Sequence, residues 1–228
     1  MPKLLLIETA TEVCSIGLWD GSLMVEKSTE EDYAHTSQLT LLIQATLKEA
    51  GWQMEELDGV AISAGPGSYT ALRVGAATAK GICFAGKIPL IAIDTLESIA
   101  LAMAKSEKKP ENSIFLPMID ARRMEAYTAP FDGQATRLDQ TKAIILDAKY
   151  LSQIQGESER LVLGGNGAPK CKDILGPGQE IRDISCAAKH LGPLAEKAFL
   201  EKKWADLAYF SPSYIKPPNI TTPKKIWK

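Results

Sequence analysis

Two blocks of this sequence, offset by 112 residues, follow one pattern. Each has an apolar strand ending in an acid, a short turn, a second strand and an aromatic-Asp-Gly turn. In the first block Ile7-Glu8 leads to Trp19-Asp20-Gly21, and in the second Ile119-Asp120 leads to Phe131-Asp132-Gly133. Acid and turn Asp are twelve residues apart in both. A chain that opens each half with a strand–acid–turn–strand hairpin is expected to fold as two related lobes, each layered on its own sheet.

Around the first block, "KLLLIETA" and "VCSIGLWDG" read as strands joined by Glu8-Thr9-Ala10-Thr11, and "LMVEKSTE" as a third. A helix from Thr36 carries Leu39, Leu42, Ile43 and Leu47 on one face and ends at Gly51. Strand "LDGVAISAG", a smooth helix to about Gly86, strand "PLIAID" and helix "TLESIALAMAKSE" complete a lobe expected over residues 1–104. After the charged link "KSEKKPENS", the second lobe is expected over 105–210, with a strand "RLVLGGNGA" and a helix "LGPLAEKAFLEKKWA". Residues 211–228 are too rich in proline for a helix and are expected to run extended over the surface. This layout resembles the duplicated α/β architecture of actin, Hsp70 and the sugar kinases (the ASKHA fold). The hairpin turns of that fold hold nucleotide phosphates with free backbone N–H groups and hydroxyls.

Composition narrows the function. With 26 Lys and Arg against 28 Asp and Glu, the net charge of −2 argues against a coat of basic surface for nucleic acid. The balance is uneven, because residues 211–228 hold four lysines and no acid, leaving −6 for the remainder. That tail is therefore expected to contact either the acidic body or transfer RNA. The four cysteines form no Cys-x-x-Cys pair, and the N-terminal apolar run is too short for a signal peptide. No stretch approaches a membrane span. The expectation is a cytoplasmic protein with reduced thiols.

"SAGPGSYTALRVGAATAKG", residues 63–81, is the most unusual stretch. A Walker loop is excluded, since Leu72 and Arg73 stand where its second Gly and Lys would be. Gly65 and Gly67 leave the backbone free, and Ser68 can cap the helix, so the turn is either a plain strand-to-helix connection or an anion site. Ala71, Gly75 and Ala79 then form a stripe nearly without side chains. Glycine in a helix costs about 1 kcal/mol relative to Ala, which is tolerated where something must come close. Whether a segment of this chain or another subunit lies against the stripe, the spacing leaves open.

Catalytic groups are scarce. His35 has Leu39 at i+4, not the second histidine of a metal-binding helix, and His190 stands alone. Glu8 fits either a water-orienting acid or a turn acid satisfied by its own backbone. The second-lobe turn, Asp120-Ala121-Arg122-Arg123, lacks the Gly and hydroxyl residues of a phosphate clasp. Cys14 and Cys83 fall in apolar patterns and read as buried small hydrophobes.

The successive strings "LLLIETATEVCSIGL", "GVAISAGPGSYTALRVGAATAKGI", "IDTLESIA", "DARRMEAY" and "GGNGA" resemble the signatures of the TsaB (YeaZ) family, in family order. "SPSYIKPP" resembles that family's C-terminal segment. The resemblance implies a non-catalytic relative of TsaD in the synthesis of threonylcarbamoyladenosine in transfer RNA, with no catalytic residues, metal or cofactor of its own. It further implies helices that pair across a subunit boundary, with His35, Leu39, Leu42, Ala71, Leu72, Gly75, Ala76 and Ala79 at the interface. Partners so implied are a TsaD-like subunit, a TsaE-like ATPase that joins the complex, transfer RNA held by the complex, and a second copy of the chain when alone. Glu8, Thr9, Thr11, Gly65, Gly67 and Ser68 become a vestigial nucleotide or anion site, with weak nucleotide binding conceivable at a partner boundary. Two departures matter. Glu8 stands where the family commonly has Asp, and Ala71 where it often has Gly. Rival readings are an active nucleotide-dependent transferase or kinase of the ASKHA class, and an M22-type glycoprotease-like peptidase.

Overall fold

The computed structural model describes residues 1–29 and 38–216. His35 and the lysines at 224, 225 and 228 lie outside the described residues. Strands β1 (Leu4–Glu8), β2 (Cys14–Trp19), β3 (Leu23–Thr29), β4 (Gly59–Ser63) and β5 (Leu90–Ile93) form a sheet in the order β3-β2-β1-β4-β5. Strands β6 (Ser113–Asp120), β7 (Glu125–Thr128), β8 (Lys142–Ile145), β9 (Arg160–Gly164) and β10 (Gln179–Ile181) form the other, ordered β10-β9-β6-β7-β8. Strand for strand these are one topology. In each, an antiparallel meander pairs its first strand with a parallel fourth, so β6 repeats β1 and β9 repeats β4. The doubled hairpin in the sequence is a doubled mixed sheet in the ASKHA arrangement.

β1 is covered on both sides, which is why "LLLI" does not alternate with polar residues. Leu5 and Ile7 face one core with Ile16, Val60 and Ile62. Leu4 and Leu6 face another with Ala61, Ile91 and Ile93. Over the first core lie helices α1 (Leu39–Ala50) and α2 (Tyr69–Gly86). Their ends are set locally: Gly51, left-handed at φ 71°, stops α1, and the Ser68 hydroxyl accepts the Ala71 N–H at the start of α2.

Helix α3 (Thr95–Ser106) follows β5, its first turn capped by the Asp94 carboxylate, which accepts from Leu96 and Glu97 N–H at 2.8 and 3.0 Å. It does not finish the first lobe. Its apolar face, Leu96, Ile99, Ala100 and Met103, packs with Phe115 and Val162 of the second sheet and with Phe131, which bridges to Phe115. Conversely, α5 (Ala188–Leu200) packs Ala188, Leu191 and Ala195 on the first sheet. Each lobe thus lends its last helix to the other, and the expected break after residue 104 is crossed in both directions. Periodicity identifies an amphipathic helix but not which sheet its apolar face meets. The polar stretch of the second lobe also holds structure that its sequence hid: β8 and helix α4 (Ala148–Gln155), capped by Asp147. At the far end of α3, Glu107 binds Arg160 at 2.8 Å and Arg182 at 3.0 Å, tying that helix to β9 and β10. Burial alone would raise its carboxyl pKa, but the two guanidinium hydrogen bonds hold it below the usual value.

The smooth stripe faces inward. Ala71, Leu72, Ala76 and Ala79 are buried within the chain, and a Cβ at Gly75 would lie 2.3 Å from the Thr9 hydroxyl oxygen. Leu39 is likewise in the first core and Leu42 packs against it. These side chains, expected at a subunit boundary, instead seat α1 and α2 on their own sheet. Gly75→Leu should therefore destabilise the isolated chain by about 1–3 kcal/mol through overpacking. At roughly 2–4 °C per kcal/mol for a chain of this size, thermal unfolding should register a clear drop; an unchanged Tm would contradict the inward orientation.

Candidate functional site

The two hairpin turns face each other across a cleft of about 820 Å³. On the first-lobe side are Thr11, Glu12 and the start of α2; on the second-lobe side are Asp120, Arg122, Glu125, Tyr127 and Asn166; residues 213–216 cross between them. In this fold that is where a nucleotide and its metal would be held.

The first turn does not fit that role. Glu8 is fully buried and is not among the residues lining the cleft. Its Oε1 accepts the Ala10 N–H at 2.6 Å, and its Oε2 has no hydrogen-bond partner. Burial pushes its pKa from 4.5 up to about 7, against the lowering effect of the Ala10 N–H, the Ser63 hydroxyl and the Thr9 N–H. Thr9 is also turned inward, its N–H on Ser63 Oγ and its hydroxyl against Gly75. The Gly-Pro-Gly turn is used for packing as well. A Cβ at Gly67 would be 2.4 Å from the Ala10 carbonyl oxygen, which accepts the Ser68 N–H at 2.7 Å. At Gly65, with φ 102°, a Cβ would be 2.6 Å from the Ser213 carbonyl oxygen. Both glycines admit other segments of the chain, not an anion. Of the six residues expected at a vestigial anion site, Thr11, Gly67 and Ser68 line the cleft, and Glu8, Thr9 and Gly65 do not.

The second turn is pinned by charge. Asp120 Oδ1 accepts from the Arg122 N–H and from Lys170 Nζ at 2.6 Å. Asn166, in the "GGNG" turn after β9, spans the cleft: its Oδ1 accepts the Asp120 N–H at 2.9 Å and its Nδ2 donates to Glu12 at 3.0 Å. Residues 205–216 form a strap along the first lobe. Ala205 pairs with Leu90, Lys80 Nζ donates to the carbonyls of Ala208 and Phe210, and Ser213 N–H donates to Ala64. The Tyr214 ring packs against Tyr69 with centres 4.7 Å apart and planes tilted by 42°, and the Arg73 guanidinium lies 4.2 Å from the Tyr69 ring centre. Lys216 then reaches Glu125 of the second lobe. Sequence reading missed Asn166 and Tyr127 as cleft residues, whereas it expected an extended tail, and residues 213–216 contact the body through Ala64, Arg73 and Glu125.

Other reactive groups are quiet. The thiols of Cys14, Cys83 and Cys171 are pushed up to about 11 by burial, and Cys186 is raised well above its ordinary value. His190, on α5, is held below the usual imidazole value mainly by burial, and its Nδ1 has no hydrogen-bond partner. Among the described residues no group of three His, Cys, Asp or Glu could hold a metal ion, and no helix is long and apolar enough to cross a membrane.

The buried Glu8 makes stability depend on pH. Its folded pKa is raised, so the folded state keeps a proton that the unfolded state releases. The contribution is full below 4.5 and is lost as pH rises to about 7, above which stability levels off. Glu8→Gln should remove this slope, matching the wild type near pH 4.5 and exceeding it by about 3 kcal/mol at pH 8. Denaturant unfolding at several pH values measures it; parallel curves for the two proteins would contradict the burial of a protonated Glu8.

Comparison with known proteins agrees with this architecture. The family model for TsaD, tRNA N6-adenosine threonylcarbamoyltransferase, matches residues 29–214. The chain is similar to the tRNA threonylcarbamoyladenosine biosynthesis protein TsaB of Escherichia coli, 27% identical over 94% of each chain. Its Haemophilus influenzae counterpart is 28% identical over 98% of this chain and 96% of that one. Among solved structures, YeaZ from Pseudomonas aeruginosa superposes with a TM-score of 0.77 at 22% identity, covering 94% of this chain and all of that one. The chain belongs to the family that the TsaD model describes, and within it to the TsaB (YeaZ) branch.

Proposed function

We propose that this chain is a non-catalytic docking subunit in the synthesis of threonylcarbamoyladenosine in transfer RNA. It acts in the cytoplasm, without a metal or nucleotide cofactor of its own, and its partner is a TsaD-like transferase. A TsaE-like ATPase joins through that complex, transfer RNA is held by it, and a second copy takes the same face when the chain is alone.

The observation that carries the reading is the outer face of α1 and α2. On α2 Phe84 is 80% exposed and Ala77, Gly81 and Ala85 are exposed with it; on α1 Leu41 is 61% exposed and Ala45 is exposed too. An apolar face of this kind on two helices that share one side of a sheet is a docking surface. Gly81 has open space where a Cβ would be, so a facing helix can approach closely there. The non-catalytic role is supported by the sealed Glu8, by thiols held protonated, and by Leu39, which occupies the position of a second metal ligand yet is buried in the chain's own core.

Phe84→Asp tests the surface. A charge at the centre of such an interface should weaken binding of a TsaD-like subunit by about 2 kcal/mol or more, roughly 30-fold. The exposed site should leave the Tm of the isolated chain nearly unchanged. Unaltered binding in a titration with the TsaD-like subunit would contradict the proposed face.

A further inference from the structure

We infer that the inter-lobe cleft grips a single-stranded stretch of RNA. The inference deepens the assignment to tRNA modification and rests on it, but it concerns a surface apart from the helix face proposed for the transferase.

Charge gives the first argument. Each carboxylate in the cleft has a donor: Glu12 accepts from Asn166, Asp120 from Lys170, and Glu125 pairs with Lys216. Arg122 and Arg123 stand beside them, both exposed, and make no ion pair among the described residues. Asp120 and Glu125 are thus each neutralised by a lysine, whereas Glu12 keeps its charge because the Asn166 amide is neutral. The second-lobe turn, with Arg122 lining the cleft and Arg123 next to it, leaves two unpaired cations against that one carboxylate.

Backbone geometry gives the second. Arg122 and Arg123 both take left-handed conformations, φ 70° and 47°, in a turn where glycine or asparagine would be at ease. The turn is held open by Asp120, which accepts the Arg122 N–H. Two exposed arginines in strained conformations add nothing to the core. Arg122 lines the cleft and Arg123 follows it in the same exposed turn, so the turn offers guanidinium groups of the kind that bind phosphate.

Aromatic lining gives the third. Tyr69, Tyr127 and Tyr214 all line the cleft and all are half-buried. Tyrosine faces beside arginines are the two elements of single-strand recognition: bases stack on the rings while cations follow the backbone. A free nucleotide with its metal fits less well, because the first-lobe turn is closed by Ala10 against Gly67 and its acid is sealed inside. The cleft volume of about 820 Å³ is that of a site for one or two nucleotides rather than a duplex.

The test uses the full chain alone, titrated against a fluorescein-labelled RNA stem–loop and followed by polarisation over a range of salt concentrations. Wild type should bind, and the pair Arg122→Ala/Arg123→Ala should bind at least ~10-fold more weakly. Losing two phosphate contacts on a single strand should also flatten the log affinity–log salt slope by about 1.4. Arg122→Lys/Arg123→Lys should keep that slope, which separates lost charge from a damaged turn. Tyr214→Ala should weaken binding without altering the slope. The inference is overturned if wild type does not bind, or if the arginine pair is dispensable. It is equally overturned if RNA is displaced by Mg-ATP, if a fully paired RNA binds as well, or if polyglutamate competes as well as RNA, which would mark an acidic protein as the occupant. No transferase subunit is present, so failure here leaves the Phe84 docking face to its own test.

Discussion

The close approach of α2 to the end of β1 is the contact on which the other features depend. Gly75 lies against Thr9, and Gly67 against Ala10, at distances that no Cβ could share. With the helix seated this tightly, Glu8 and Thr9 are closed off from the cleft in a packed joint, and only Ala10, Thr11 and Glu12 of the first hairpin turn still line it. Glu8 is sealed behind it, with one carboxylate oxygen spent on Ala10 and the other unpaired. The turn that would hold a phosphate in this architecture is occupied by the protein itself. Glycine is the enabling residue at both positions, because any side chain would force the helix away.

The same seating explains how one lobe can carry two surfaces. Helix α2 uses one face to bury the sheet and leaves the other apolar and open. Its N-terminal turn meets the strap, where Arg73 and Tyr214 hydrogen-bond at 3.2 Å. The strap continues to Glu125 of the second lobe. Together with the exchanged helices α3 and α5, it fixes the relative position of the two hairpin turns and so the width of the cleft. An inter-lobe site held by covalent continuity and ion pairs is preorganised, which favours binding over the opening and closing that nucleotide turnover needs.

Much of this was legible in the sequence. The repeated strand–acid–turn–strand block gives the doubled sheet, and apolar spacing with Ser68, Gly51 and Asp94 marks helix ends. The direction of the small stripe was not legible, and the reason is specific. Helix α2 carries two such stripes, Ala71-Gly75-Ala79 and Ala77-Gly81-Ala85, about 120° apart round the helix. Each has four-residue spacing, so periodicity cannot say which one meets the sheet; only the large neighbours decide, with Leu72 and Cys83 turned in and Phe84 out. Helix α4 escaped notice for a different reason. Its sequence is capped by Asp147 and stopped by Gly156, but Leu151 is its single buried residue, too weak a pattern to stand out among polar neighbours. The exchange of α3 and α5 between lobes is a tertiary choice that no local pattern encodes.

The two-faced character of α2 can be tested most directly by thiol labelling. The four native cysteines are buried, so the background is low. Cysteines introduced at Ala79 and Gly81 should report opposite environments. In the isolated chain Gly81→Cys should react freely and Ala79→Cys hardly at all. On adding a TsaD-like subunit, Gly81→Cys should become protected while Ala79→Cys stays as it was. Free reaction at Ala79→Cys in the isolated chain, or continued reaction at Gly81→Cys in the complex, would contradict the account.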